Sequence, residues 1–307
     1  MNQMDVVTGS FGYIGCYITQ QLLDAGWRVK TITTHVDKPN PFGEQVEAYL
    51  YNFERPVLLI DCLKGVDTLY NTYWVRFNYR AITFAQAVRN TRILFDCAAE
   101  AGIKHIVHIS VTNPSLNSPL PYYQGKALQE EALKVCGVPY SIVRPTLVFG
   151  KEDILVNNIA WLIRKFPVFP IFGDGKYCVQ PVYVRDLASI AVASTGQMES
   201  TPVDAIGPES YTFEEFARLI ARTIGRTVAF VNIPATLGIT FGKLIGLFLR
   251  DVLLTRDELI GLMSNLLTSK QKPNSDTRFS EWLARHKNMI GASYSSELAR
   301  HFHWESN

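Results

Sequence analysis

Tyr122 and Lys126 stand four residues apart in the run YYQGKALQEEALKVCG. On a helix that spacing puts both side chains on one face, within reach of a single site. An ammonium beside a phenol favours the phenolate and lowers the tyrosine pKa from about 10 toward neutrality, which makes the phenol a usable acid or base. Tyr123 is the adjacent candidate, but it points about 100° further round the helix, and its fourth neighbour is Ala127. Ser110 lies twelve residues before Tyr122, at the end of the apolar run KHIVHISV, and Thr112 follows after Val111. Either hydroxyl has the chemistry to orient a substrate oxygen.

A second constellation opens the chain. In DVVTGSFGYIG, an apolar run ending in Val6 and Val7 passes through Gly9, Ser10, Phe11, Gly12, Tyr13, Ile14 and Gly15 into a helix-like stretch. Gly9 allows a tight turn out of a buried strand, Gly12 lets the backbone approach a pyrophosphate, and Gly15 removes a side chain where helix presses on sheet. The unpaired N–H groups at the head of the helix then face the anion. This pattern predicts a dinucleotide site.

The next strand, predicted over 29–33, ends where the adenosine ribose of such a cofactor would lie. A carboxylate at that edge would accept both ribose hydroxyls of NAD. The edge instead reads Thr33, Thr34 and His35, with Asp37 and Lys38 just beyond. Thr34, His35 and Lys38 suit a phosphate, so NADP is the preferred cofactor, with NAD the alternative that Asp37 would serve.

The elements that must position these groups alternate regularly. Residues 37–47 read as a turn-rich loop, 58–63 as a short helix or turn, and 67–70 as a strand delivering Asn71, Thr72 and Tyr73 to the cofactor side. The apolar spacing of 84–101 predicts a helix that stops at Gly102. Strand–helix alternation continues to Gly150, which predicts an α/β fold: a Rossmann-like, doubly wound parallel sheet with a smaller, mostly helical C-terminal lid. The sheet domain is expected over 1–150, continued by about 177–206, with 151–176 and 207–307 forming the lid and substrate region. In the lid, Thr212 followed by Glu215 is a capping-box start. Loops around Trp74, 114–121, 149–158 and 173–181 are expected to assemble the substrate pocket, and their apolar and aromatic character suggests a substrate less polar than a nucleotide-sugar.

Composition narrows the classes. The chain is 47% hydrophobic and 19% charged, with a net charge of +2 at pH 7. Its Lys and Arg are dispersed, so no nucleic-acid partner is expected. No His, Cys and carboxylate group has metal-site spacing, so no metal is expected. Five cysteines, odd in number, and a start without a recognisable leader point to a cytoplasmic protein. The apolar stretch 234–249 is too short and glycine-rich to span a bilayer; it reads as a buried or lid helix, or as a peripheral membrane or protein contact. The expected partner is a small-molecule substrate, with the chain a monomer or homodimer.

Taken together, the motifs resemble the extended and atypical branches of the short-chain dehydrogenase/reductase superfamily, which includes NAD(P)-dependent epimerases, dehydratases and reductases. TGSFGYIG is similar to the TGxxGxxG fingerprint, GVDTLYNTY to the GxDxVxHxA strand, YYQGK to YxxxK, and RPTLVFG to the RPxxVYG loop. The resemblance implies an NAD(P)-dependent oxidoreductase or epimerase acting on a hydroxyl or carbonyl of a small organic substrate. It implies that Asp61, with Cys62 beside it, approaches adenine and that Asn90 lies on the cofactor-side helix. Tyr122 would be the acid/base, Lys126 would hold the nicotinamide ribose, and Pro145 would begin a loop near the nicotinamide. Three departures stand out: Asn71, Thr72 and Tyr73 replace the family's HLA, the loop before Tyr122 is short, and Val111 falls where a substrate-orienting Ser or Thr usually stands. These departures are closer to the atypical subgroup similar to the large accessory subunit of respiratory complex I. That likeness implies the alternative of a non-catalytic dinucleotide-binding protein whose 234–249 segment docks on a membrane or partner.

Overall fold

Val6, Val7, Leu69, Ile106 and Val107 are fully buried, as residues are in strands covered on both faces by helices. The computed structural model describes residues 3–197, 201–237, 251–252 and 254–301. In chain order its first elements are β1 (Met4–Thr8), α1 (Tyr13–Asp24), β2 (Arg28–Thr33), β3 (Val46–Leu50), α2 (Pro56–Leu63), β4 (Thr68–Asn71), α3 (Phe84–Glu100), β5 (His105–Ile109), α4 (Pro121–Val135) and β6 (Tyr140–Pro145). There follow β7 (Leu147–Phe149), α5 (Ile154–Lys165), β8 (Val168–Phe172), β9 (Cys178–Val179), β10 (Pro181–Tyr183), α6 (Val184–Ala193), β11 (Val203–Ala205), β12 (Tyr211–Thr212), α7 (Phe213–Thr223) and β13 (Ala229–Ile233). The last described elements are α8 (Arg256–Met263), α9 (Phe279–His286) and α10 (Glu297–His301).

The chain divides into two units, Met1–Pro145 with Val184–Ala205, and Thr146–Tyr183 with Ile206–Asn307. The first unit holds a seven-stranded sheet in the order β11-β6-β5-β4-β1-β2-β3. Every pairing in it is parallel, with β1 matched to β2 on one side, Val7 opposite Thr31, and to β4 on the other, Val7 opposite Tyr70. The strand order therefore reverses between β1 and β4, and in an open parallel sheet a ligand sits at the carboxyl ends beside that reversal. Leu59, Leu63, Leu94, Phe95 and Ile106 form the core between α2, α3 and the sheet. The doubly wound α/β architecture matches the order read from the sequence.

One strand of the seven-stranded sheet escaped the sequence. Residues 37–47 read as a loop, yet β3 begins at Val46 and pairs with β2 from Val29 opposite Val46 to Thr33 opposite Leu50. As an edge strand it buries only Val46 fully and leaves Glu47 and Leu50 exposed, so it carries little of the apolar signature that marks the central strands.

The second unit packs Phe149, Phe216, Phe279 and Trp282 into its own core. Its helices are accompanied by three two-stranded pairings: β7 with β10, β9 with β12 and β8 with β13. Helix α7 starts with the predicted capping box, Thr212 and Glu215 each satisfying the other's backbone N–H. Of the apolar stretch 234–249, residues 238–249 lie outside the described residues. Among the described residues, no helix is long and apolar enough to cross a membrane.

Candidate functional site at the strand ends of the parallel sheet

The turn from β1 into α1 depends on glycine at two points, one for its backbone and one for a close approach. Gly9 has φ +69°, a left-handed conformation that costs side-chain-bearing residues energy. A Cβ on Gly15 would lie 2.2 Å from Gly9 O and 2.7 Å from Gly9 C, so α1 is pressed directly onto the turn. Gly12 caps α1 without a side-chain bond and donates its own N–H to Gly9 O at 2.8 Å. Ser10 is buried; its N–H goes to Thr31 Oγ1 at 3.0 Å, and its hydroxyl accepts from Thr19 Oγ1 at 2.8 Å. Phe11 is buried, Tyr13 and Ile14 are half-buried in the first turn of α1, and Tyr13 meets Tyr17 edge-on. The site residues fit a dinucleotide: a close-approach glycine cradle stands at a helix N-terminus beside the strand-order reversal.

Next along the rim are the residues after β2. Thr34, His35 and Asp37 are exposed and Lys38 is half-buried. The His35 imidazole is held below its ordinary range, first by partial burial and then by the Lys38 charge, against Asp37.

The end of β4 is tied to β1 and β5. The Thr72 N–H donates to Thr8 Oγ1 at 2.7 Å, and the Tyr73 N–H to Asn71 Oδ1 at 3.1 Å. Asn71 Nδ2 lies 3.0 Å from His108 Nδ1. Because an amide nitrogen can only donate, Nδ1 accepts and the imidazole proton sits on Nε2, a buried atom with no hydrogen-bond partner among the described residues. Burial holds His108 neutral, its pKa well below the ordinary value, and the nearby Lys126 charge pushes the same way. From α3, Asn90 Nδ2 donates to Tyr73 OH at 2.9 Å, and Asn90 Oδ1 accepts from Gln86 Nε2 at 2.7 Å.

Helix α4 starts at Pro121, whose missing N–H costs nothing in the first turn. It buries Tyr123, Lys126 and Glu130 and half-buries Tyr122. Lys126 is only 3% exposed. Its Nζ donates to Ile109 O at the end of β5, at 2.9 Å, and lies 4.9 Å from the centre of the Trp74 ring. Burial pushes its pKa down to about 7, with the Glu130 charge pulling the other way. Trp74 in turn stacks on Phe84, with centroids 5.5 Å apart, and meets Tyr122 edge-on at 5.8 Å.

The two hydroxyls after β5 differ in their commitments. Ser110 Oγ donates to Glu130 Oε1 at 2.5 Å, and the same carboxylate is gripped by the Arg144 guanidinium through Nε at 2.9 Å and through its second nitrogen. The Ser110 hydroxyl is thereby bound into an ion pair whose carboxylate is buried and whose guanidinium is half-buried. Thr112 is buried and its N–H donates to Pro145 O at 3.1 Å, which brings the ends of β5 and β6 together.

The structure thus gathers Gly9, Gly12, Gly15, Thr34, His35, Asn71, Thr72, Tyr73, Ser110, Thr112 and Pro145 at the carboxyl ends of adjacent strands, with Asn90 and Lys126 reaching this rim from helices. It does not bring Asp61 and Cys62 there. Both lie within α2: Asp61 faces solvent in an ion pair with Lys64 at 2.7 Å, and Cys62 is buried in the core. The residues that follow the unforeseen β3 at the rim are Tyr51, which is buried, and Asn52. Glu130 and Arg144 also went unread. Their signal was present in the spacing, because Glu130 is four residues beyond Lys126 on the same helical face. Of the loops expected around a substrate, Trp74 and 114–121 lie in the first unit, whereas 149–158 and 173–181 belong to the second.

Residues 6–206 match the model of the NAD dependent epimerase/dehydratase family. The chain belongs to that family. Among relatives of this epimerase/dehydratase chain is the Arabidopsis thaliana NADH dehydrogenase (ubiquinone) 1 alpha subcomplex subunit 9, mitochondrial, 25% identical over 244 residues, which are 74% of this chain and 60% of the relative. Proteins of the same name from Mus musculus, Dictyostelium discoideum and Rattus norvegicus also match, and the matches span 33–60% of the length of these relatives. Among solved structures, the Citrobacter sp. triphenylmethane reductase complexed with NADP(H) superposes with a TM-score of 0.74 at 19% identity, covering 92% of this chain and 99% of that one. An NADPH-dependent quinone oxidoreductase from Escherichia coli complexed with NADPH gives 0.70 at 20% identity, covering 93% and 99%. At these identities the likeness is one of fold. The expectation of a cytoplasmic protein is corrected, since the named subunit relatives are mitochondrial; neither the first residues nor an odd cysteine count fixes a compartment.

Proposed function

We propose that this epimerase/dehydratase-family chain is an NAD(P)-dependent oxidoreductase, NADP preferred, acting on a hydroxyl or carbonyl of a small and largely apolar organic substrate. The observation that carries the proposal is Lys126, a buried ammonium fixed to the end of β5 on the helix that also presents Tyr122. Gly9, Gly12, Gly15 and the head of α1 would hold the pyrophosphate, and Thr34, His35 and Lys38 the adenosine phosphate. When bound, the nicotinamide supplies or accepts hydride. Tyr122 exchanges a proton with the substrate oxygen, and Lys126 holds the nicotinamide ribose and favours the phenolate. Ser110 is bound to Glu130, and the hydroxyl assigned to orient the substrate oxygen is that of Ser110 or Thr112 after β5. Trp74, Phe84, Tyr122 and Tyr123 form a run of ring contacts beside these groups, which favours a flat, apolar substrate over a nucleotide-sugar diphosphate. The test is turnover of NADPH with a panel of aromatic carbonyls and quinones: Tyr122→Phe should lose about 100-fold or more in kcat while keeping cofactor affinity. Unchanged turnover would sink the mechanism.

A second reading is favoured by the Ser110–Glu130–Arg144 lock and by Val111 beside it: a dinucleotide-binding protein that does no chemistry, with 234–249 as its docking segment. Substrate turnover above the background rate would eliminate it.

A further inference from the structure

Two side chains on one face of α4 grip consecutive residues at the end of β5. Lys126 Nζ donates to Ile109 O at 2.9 Å, and four residues further on Glu130 Oε1 accepts from Ser110 Oγ at 2.5 Å. From β6, the Arg144 guanidinium closes on the same carboxylate, through Nε on Oε1 at 2.9 Å and through a second nitrogen on Oε2. Helix α4 and the ends of β5 and β6 are therefore tied at one carboxylate, which is 2% exposed.

An ammonium taken out of water needs an anion close by. Lys126 is buried, and its contacts with the Ile109 carbonyl and the Trp74 ring bring only partial charge. Among the described residues of the first unit, the buried carboxylates are Asp5 and Glu130. Asp5 stands near the start of β1, at the amino end of the sheet. Glu130 lies one helical turn from Lys126, a spacing that leaves about 5–6 Å between Cβ atoms. The other groups around the pair add no anion. Burial and the Lys126 charge hold His108 of β5 neutral. From the segment after β4 come Trp74, on the ammonium, and the Tyr73 phenol, which is bonded to Asn90 and kept neutral by burial. Helix α3 offers the uncharged Thr91 to Gln129, and Tyr122 stands one turn before Lys126 on α4. Strand β6 brings Arg144, with Asp204 of β11 opposite it in the ladder. One buried carboxylate thus serves two cations.

We propose that Glu130 is a positioning residue for Lys126: its carboxylate keeps the lysine an ammonium at the rim where the ribose and the Tyr122 phenol would meet it, while Arg144 draws on the same carboxylate in competition. This inference rests on the dinucleotide reading above, which gives Lys126 its task. With Glu130 in place the lysine titrates at about 7, burial lowering it and the Glu130 charge raising it. Without that carboxylate burial is unopposed, and a lysine left neutral at pH 7 no longer favours the phenolate.

NMR titration of protein labelled with carbon-13 at lysine Cε reads the protonation of Lys126 directly, its signal being the one lost in Lys126→Met. Glu130→Gln should lower the Lys126 midpoint by about one pH unit or more, and Arg144→Gln should raise it. Glu130→Asp, with the carboxylate drawn back by one carbon, should lower the midpoint by less, and it decides the matter if Glu130→Gln does not fold. Loosened packing has the opposite signature in the Glu130 variants, because water reaching the lysine raises its midpoint toward about 10.4. A midpoint that stays in place or rises in the folded Glu130 variants, or falls in Arg144→Gln, overturns the role of Glu130. Fluorescence titration of the wild-type protein with NADPH tests the underlying reading separately. No binding there overturns the dinucleotide site and the task given to Lys126, whereas the coupling of the two charges stands or falls on the midpoints alone.

Discussion

Replacing Lys126 by Met removes the buried charge while keeping an unbranched side chain of similar reach in the same slot. Lys126 is 3% exposed, and burial lowers its pKa to about 7, against about 10.4 for a lysine in the unfolded chain. Between those two values the folded protein has released a proton that the unfolded chain still holds, so wild-type stability rises with pH across the window and is most penalised below about 7. At about 1.4 kcal/mol per pKa unit the penalty approaches about 5 kcal/mol. The bond to Ile109 O and the contact with Trp74 offset part of it, leaving about 2–4 kcal/mol. Urea unfolding of both proteins at intervals between about pH 6 and pH 10 measures the difference directly. Lys126→Met should be the more stable protein at the acid end, with the gap closing toward the alkaline end. A gap of constant size, or a wild type that is more stable at the acid end, would show that the ammonium is not desolvated as the structure places it.

Two other perturbations have worked signs. Asp5 in β1 is fully buried, and burial raises its carboxyl to about 6; with an unfolded value near 3.9, the cost of ionising it is absent below that value, grows between about 3.9 and about 6, and stands at its full size above about 6. Asp5→Asn keeps an acceptor for the Thr68 N–H, so it should gain about 1–3 kcal/mol at neutral pH and nothing near pH 4, read from the same unfolding curves. Gly15→Ala sets a methyl 2.2 Å from Gly9 O; separating α1 from the turn should cost about 1–3 kcal/mol of stability and abolish dinucleotide binding, and an alanine variant that binds normally would show that the close approach is not needed.

The features legible in the sequence are those whose cause is local. Gly9 and Gly15 announce their turn because a side chain would be strained at the first and would meet the turn's backbone at the second, and Thr212 with Glu215 closes its capping box within four residues. Tyr122 and Lys126 are placed by helix geometry alone. What stayed hidden depends on partners distant in sequence. β3 is a strand only because β2 offers it a parallel edge, and Ser110 is committed to Glu130 and Arg144, 20 and 34 residues further on. Trp74 read as a pocket wall, and nothing in its neighbours NTYW said that it would lie on Gly125 and Lys126. Asp61, which the family resemblance puts near adenine, lies inside α2 and faces solvent beside Lys64.

The claim on which the rest depends is that the glycine turn at the sheet's strand-order reversal holds a dinucleotide. Titrating the protein into NADPH and, separately, NADH while following nicotinamide fluorescence tests it without any knowledge of the substrate. Saturable binding with a Kd of roughly 1–100 µM, tighter for NADPH and lost in Gly15→Ala, is the predicted result. Fluorescence unchanged by the wild-type protein with both nucleotides would contradict it.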